Sequence, residues 1–448
     1  MDNNGFLFPH LAEDDTREPL FLVTIPKFLT NNMLFSTTNE ENEETLFRLG
    51  VLMLSIPYWI ELLGLILLTL SFAAIVGLVL YKTVIETKQE QTPTAYLIGW
   101  GLVIPFWLSW PTLLLQFVDL RCSIFRFLVG GIAPIVCSFR TIEVIYGLCP
   151  PYVTSSAKGF VFYYATVPIV ARLKKEDKGS SSASIGDPIP CSNSKKLKHL
   201  IRFLCLLCLT GGLQSILVPY KNLNIFGMGI DSDEPIEWLS VQRYFTWQLY
   251  GNSAFQALLF QMYLTTYFEA LAFAFSVLTG YEVEPGMLNP LLESKSPMDF
   301  WGTRWNTMIH SCLKNGVYKP LRLAGVHRIG AVLGTFCASG IFHEWILALV
   351  FPYDDKSWYE SGRKSSSVPN YGGAVVFFAW QALLIGGEMA FGKTAPVQRI
   401  AKSLPQPFKT ALVVGLGVPL AHFFLEPYVT SGFFFQHGNA GLPMLVRV

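Results

Sequence analysis

Residues 62–81 read LLGLILLTLSFAAIVGLVLY, twenty side chains without a charge. A helix of about 20 apolar residues spans the ~30 Å hydrocarbon core of a bilayer, so Leu62–Tyr81 predicts a transmembrane span. Working outward, Ala95–Val118 repeats the pattern and carries Trp100, Trp107 and Trp110. Phe203–Val218 is apolar but short, and Ser253–Thr279 has a single acid, Glu269. Gly330–Phe351 encloses the pair His343-Glu344, Tyr371–Phe391 contains Glu388, and Ala411–Leu425 contains His422. Two runs of 13 residues, Phe127–Phe139 and Gly159–Ala171, fall short of a crossing and could be tilted, re-entrant or buried against other helices. The expectation is an all-α, polytopic bundle with seven spans and up to nine.

Composition agrees. The 448 residues carry only 15% charged side chains against 51% hydrophobic, where soluble domains hold about 25% charge. The formal net charge of +1 gives no electrostatic footprint for nucleic acid. Eight cysteines, several within apolar runs, do not make a secreted disulfide framework. Residues 1–50 read as a polar, acidic extension without the start of a signal peptide, 51–430 as the multi-span region, within which 293–351 holds the motifs discussed below, and 431–448 as a tail. Within the multi-span region, 172–202 reads as a flexible basic loop around Gly179 and Ser180–Ser184.

Basic residues mark cytosolic loops. They crowd 172–202, 293–328 and 392–410, while 219–252 carries four acids against Lys221 and Arg243. Single spans between alternating loops put the C-terminus in the lumen. Counting both short runs or neither leaves the parity of the N-terminal half unchanged.

Several motifs carry no chemistry here. Gly387–Thr394 matches G-x-x-x-x-G-K-[ST] letter for letter, but a phosphate loop must join a strand to a helix, and a membrane helix precedes this one. Cys205 and Cys208 form C-x-x-C inside an apolar run, where small packing residues are expected. His343-Glu344 lacks the second histidine of H-E-x-x-H, because position 347 is leucine.

His343 remains unusual. An ionisable group near the bilayer centre costs roughly 2.5–3.5 kcal/mol on insertion scales and tends to be functional. A neutral imidazole there can accept a proton. The plainer alternative is a packing histidine hydrogen-bonded across helices. Ala338, Ser339 and Gly340 leave room for another backbone or a substrate to approach. A second constellation, Ser296-Pro297-Met298-Asp299-Phe300-Trp301-Gly302-Thr303-Arg304-Trp305-Asn306, is too polar for a lipid-facing span. By composition alone it suits an interfacial anchor.

Taken together, Asp299-Phe300-Trp301-Gly302-x-Arg304-Trp305-Asn306, followed 37 residues later by Ser339-Gly340-x-x-His343-Glu344, resembles the wax synthase branch of the membrane-bound O-acyltransferases. The resemblance is tightest over Ser296–Trp345. It implies an acyl-CoA-dependent enzyme of the endoplasmic reticulum that esterifies a long-chain alcohol to a wax ester, with acyl-CoA as co-substrate and neither metal nor further cofactor. The active-site roles fall on Asn306 and His343. His343 suits a general base for the alcohol proton, and the amide of Asn306 suits an oxyanion donor or thioester-orienting group. Trp301, Arg304, Trp305, Lys314, Lys319 and Arg322 are expected to receive the acyl-CoA, the basic groups through its phosphates. Position 303 is threonine where many relatives are basic, which bears on the acceptor. Sterol, diacylglycerol or a hydrophobic metabolite receiving an acetyl group are alternative acceptors. Outside enzymology, Glu269, His343, Glu388 and His422 could form the proton relay of a secondary transporter.

Overall fold

The computed structural model describes residues 19–26, 46–52, 56–117, 123–166, 188–217, 225–226, 246–350, 372–430, 433–434 and 442–447. Among these, eight helices are long and apolar enough to cross a membrane. They are α1 Pro57–Ile85, α2 Pro93–Phe117, α3 Arg126–Ile145, α5 Asn193–Leu217, α6 Trp247–Thr279, α8 Arg328–Val350, α9 Gly373–Phe391 and α11 Gln406–Val429. Three shorter helices matter to the site: α4 Ala157–Ala165, α7 Thr307–Leu313 and α10 Ala395–Ser403. The membrane-spanning part is an all-helical, multi-pass bundle, as the hydropathy requires.

The two short runs resolve differently. Phe127–Phe139 belongs to the 20-residue α3, whereas Gly159–Ala171 overlaps only the nine-residue α4 before residue 167, beyond which the described residues stop. Arg140 and Glu143 ended the first run in the sequence, yet each is only 1% exposed. Tyr163 donates to Glu143 Oε2 at 2.6 Å. Arg140 donates to the Thr166 carbonyl at 2.7 Å and lies 4.2 Å from the Tyr163 ring centre. Paired in this way, the two charges can be buried, and the helix continues to Ile145. α1 presents the opposite case: Leu63, Leu67, Ile75 and Leu78 point outward uncovered, which suits a lipid-facing surface.

Beside the bundle, β1 Pro19–Pro26, β2 Leu46–Leu52 and β3 Met444–Arg447 form an antiparallel sheet in the order β1-β2-β3. Val51 pairs with Leu445, so the strand before the first span and the strand after the last are hydrogen-bonded neighbours. Both must lie on one side of the membrane, which requires an even number of crossings. The eight candidate spans among the described residues satisfy this and fall within the seven to nine expected. The expected basic loop 172–202 is also shorter than supposed, because α5 begins at Asn193. Its serine-rich part lies outside the described residues.

α8 and α9 pack antiparallel over their length, and Gly340 makes the contact close. A Cβ there would sit 2.7 Å from the Val375 Cα. Likewise a Cβ on Gly373 would lie 2.6 Å from the Phe423 carbonyl oxygen. Cys205 and Cys208 do not pack inside as expected; both are exposed on the outer face of α5. Gly387 sits within α9 and the described residues leading into it are helical, so the phosphate-loop match lacks its strand-to-helix context.

Candidate active site

The segment between α6 and α8 builds the first half of the site. Ser296 caps a single turn by accepting from the Asp299 N–H at 3.2 Å. The chain then coils through Phe300–Arg304 and closes when Trp305 N–H donates to the Phe300 carbonyl at 2.8 Å. Trp305 stacks on Phe300, with ring centres 5.4 Å apart and planes at 13°. Trp301 turns the other way, donating from Nε1 to Gln381 Oε1 at 3.0 Å, while Gln381 donates to the Gly417 carbonyl at 3.2 Å. Glu388 accepts from Met298 N–H at 2.7 Å. The signature motif is thereby bolted to α9 at two heights.

Arg304 is occupied within this fold. Its Nε meets Asp299 at 2.8 Å, and one terminal nitrogen meets Glu293 at 2.9 Å and the Leu288 carbonyl at 3.0 Å. Its charge thus has two carboxylate partners in the fold.

Asn306 follows in the left-handed region, with φ 41° and ψ 64°, a conformation asparagine tolerates better than most residues. There its Oδ1 accepts from Ile309 N–H at 3.2 Å and caps α7. The sequence suggested an amide devoted to chemistry; half of it serves the helix, which leaves the NH2 group as the donor. Beyond α7 the helical path continues through Lys314–Tyr318 to Leu323. Asn315 and Lys319 face the buried Glu143, which fastens this path to α3. Burial, together with the nearby Lys314, holds His310 below the ordinary imidazole range.

The second half comes from α8. His343 stacks on Phe378, with centres 5.0 Å apart and planes at 13°, and meets the edge of Phe424 at 4.8 Å and 89°. Its Nδ1 is buried without a hydrogen-bond partner among the described residues. A packing histidine would be hydrogen-bonded across helices, and this ring is held by aromatic faces instead. A buried polar atom left unpaired costs about 1–3 kcal/mol, so the ring is positioned at some expense to stability. Glu344 points elsewhere: Oε1 accepts from the Ala374 N–H at 2.7 Å, at the positive end of α9.

Both halves meet in one cavity of about 470 Å³, lined by His343, Asn306, Trp301 and Trp305. Its remaining walls are almost wholly apolar, from α1, α3, α6, α9 and α11. Lys314, Lys319 and Arg322 do not line it. Lys314 and Arg322 are exposed on the path that leads away from Asn306, and Arg322 also donates to the Val326 carbonyl at 2.6 Å. Phe378, Phe424, Gln381 and Glu143 were not singled out from the sequence. A glutamine inside the apolar run 371–391 was the one signal available.

A profile of the Membrane bound O-acyl transferase family matches residues 284–364. A probable long-chain-alcohol O-fatty-acyltransferase 9 of Arabidopsis thaliana is 31% identical over 177 residues, 37% of this chain and 46% of that one. A second, numbered 3, is 26% identical over 166 residues, 35% of this chain and 43% of that one. An acyl-CoA–sterol O-acyltransferase 1 from the same plant is 42% identical over 79 residues, 16% of this chain and 23% of that one. The chain spans less than half the length of each of these relatives.

Proposed function

Because this chain belongs to the membrane-bound O-acyltransferase superfamily, in its wax-synthase-like branch, we propose that it transfers a fatty acyl group from acyl-CoA to a long-chain primary alcohol, giving a wax ester. The observation that carries the reading is the shared cavity, where an imidazole and an amide from segments 37 residues apart line one apolar chamber.

The alcohol hydroxyl gives its proton to His343 as its oxygen attacks the thioester carbonyl. Negative charge gathers on the carbonyl oxygen, where the NH2 of Asn306 is the available donor. The C–S bond then breaks, and the proton passes from His343 to the leaving thiolate, releasing CoA and the ester. No acyl-enzyme is needed. Exposed Lys314 and Arg322 remain the proposed contacts for the CoA phosphates. Lys314 lies eight residues beyond Asn306, about 12 Å along a helix. Lys319, facing Glu143, takes a lesser share. Trp301 and Trp305 would flank the acyl group. The endoplasmic reticulum is the membrane we propose, and co-fractionation tests it.

The almost wholly apolar walls of the cavity suit a linear acyl chain. Each methylene buried there contributes about 0.8 kcal/mol. A sterol acceptor is the second reading, favoured by the similarity to the sterol acyltransferase. A transporter's relay is disfavoured because its members are separately engaged: Glu269 with His199 at 2.6 Å and Arg202 at 3.2 Å, Glu388 with the Met298 amide. The deciding assay offers purified, reconstituted protein one labelled acyl-CoA with a primary alcohol, a sterol and a diacylglycerol in competition. Wax ester should dominate. Sterol ester or triacylglycerol as the main product would refute the acceptor, and no ester of any kind would refute the reaction.

A further inference from the structure

α10, Ala395–Ser403, joins α9 to α11 and buries none of its nine residues. On a helical wheel at 3.6 residues per turn, Val397, Ile400, Ala401 and Leu404 share one side, while Gln398, Arg399 and Lys402 share the other. The apolar side is uncovered, with Val397 41% and Ile400 57% exposed. Lys393, Arg399, Lys402 and Lys409 surround it, and 392–410 contains no acid. Both neighbours of α10 are membrane-spanning helices, so this element lies at the bilayer surface by connectivity alone.

Its flanks hold the candidate catalytic segment from two sides. Upstream, Glu388 accepts from Met298 N–H at 2.7 Å. Downstream, Gln406 Nε2 donates to the Glu293 carbonyl at 2.9 Å, and Thr410 Oγ1 donates to the Ser294 carbonyl at 2.9 Å. A displacement of α10 therefore pulls on both ends of 293–298, the stretch that leads through Trp301 to Asn306.

We infer that α10 is a membrane-surface helix that docks on anionic phospholipid headgroups of the adjoining leaflet, and that this docking steadies the segment carrying Asn306. The apolar side sinks into the boundary between headgroups and acyl chains, and the basic side meets the phosphates and carboxylates above it. A lipid surface is the occupant because the charge pattern is of one sign and the helix is tethered in its plane. Each basic side chain near an anionic leaflet adds attraction. The effect on turnover rests on the function proposed above; the docking does not.

The test measures hydrogen exchange over 395–404 in full-length protein held in nanodiscs, either of phosphatidylcholine alone or enriched in phosphatidylserine. Exchange should be at least about tenfold slower in the anionic discs. The double variant Arg399→Glu/Lys402→Glu should abolish the difference, and Arg399→Lys/Lys402→Arg should preserve it. Equal exchange in both lipids overturns the anionic docking, whether the helix is protected in both or in neither. Turnover in the same discs is the second readout, with anionic lipid expected to raise it severalfold in the native protein and not in the Glu variant. Slowed exchange with unchanged turnover would overturn the coupling to 293–306. Absence of any ester product, with the exchange difference intact, would strike the proposed reaction and leave the docking standing.

Discussion

Asn306 divides one carboxamide between two tasks, and this sets how its role can be measured. Its Oδ1 caps α7 while its backbone sits at φ 41°. Asn306→Ala removes the cap, worth about 1 kcal/mol, and adds a left-handed cost of roughly 1–2 kcal/mol. A loss of activity in that variant therefore mixes folding with chemistry. Asn306→Asp keeps an acceptor of similar capping strength and removes the NH2 donor. We expect Asn306→Asp to retain near-native thermal stability while turnover falls by about 10² or more. Equal falls in melting temperature for both variants, with turnover per folded molecule intact, would reduce Asn306 to a helix cap. His343 permits a cleaner substitution, because no protein hydrogen bond to its Nδ1 is lost. His343→Ala should insert and accumulate normally yet lose at least about 10² in turnover. A well-expressed His343→Ala that turns over at the native rate would remove the general base.

Among the elements, the α8–α9 pair governs where His343 stands. Gly340 lets the two backbones approach, one turn before the histidine, and Phe378 on α9 supplies the stacking face. Gly340→Ala places a methyl group 2.7 Å from a backbone carbon that cannot rotate away. Overpacking of this kind costs about 1–3 kcal/mol. The expected outcome is a lowered melting temperature together with reduced turnover, as the helices part and the ring leaves its cage. A variant as stable and active as the native protein would show that the seam yields freely. The small residues 338–340 were legible as a close approach in the sequence. Which helix came close was not, because small size announces a contact without naming its partner. The same holds for Arg304: the motif could be recognised, but its carboxylate partners lie 5 and 11 residues away and came together only when the turn closed.

At the scale of the molecule, the sheet fixes a relation that hydropathy left open. β2 and β3 pair across the whole transmembrane region, so tags before β1 and after β3 should be protected together. Tags inserted at Ser182 and at Lys402 should be accessible together from the cytosolic face. Opposite accessibility of the two terminal tags would break the sheet as drawn. The sequence alone established a multi-pass membrane bundle, because transfer into lipid is nearly additive over a local window and needs no knowledge of neighbours. His343 stood out locally as a histidine inside a span, whereas Asn306 was reached only through the family resemblance; both line one cavity. Tertiary structure decided the rest. Whether Arg140 and Glu143 end a span or lie buried within one depends on Tyr163 and Thr166, 20 and 26 residues away along the chain. The aromatic cage of His343, the ion pairs of Arg304 and the even number of crossings likewise depend on partners brought together by the fold. Burial of a polar group is cheap or costly according to what it meets, and a linear sequence does not say what that will be.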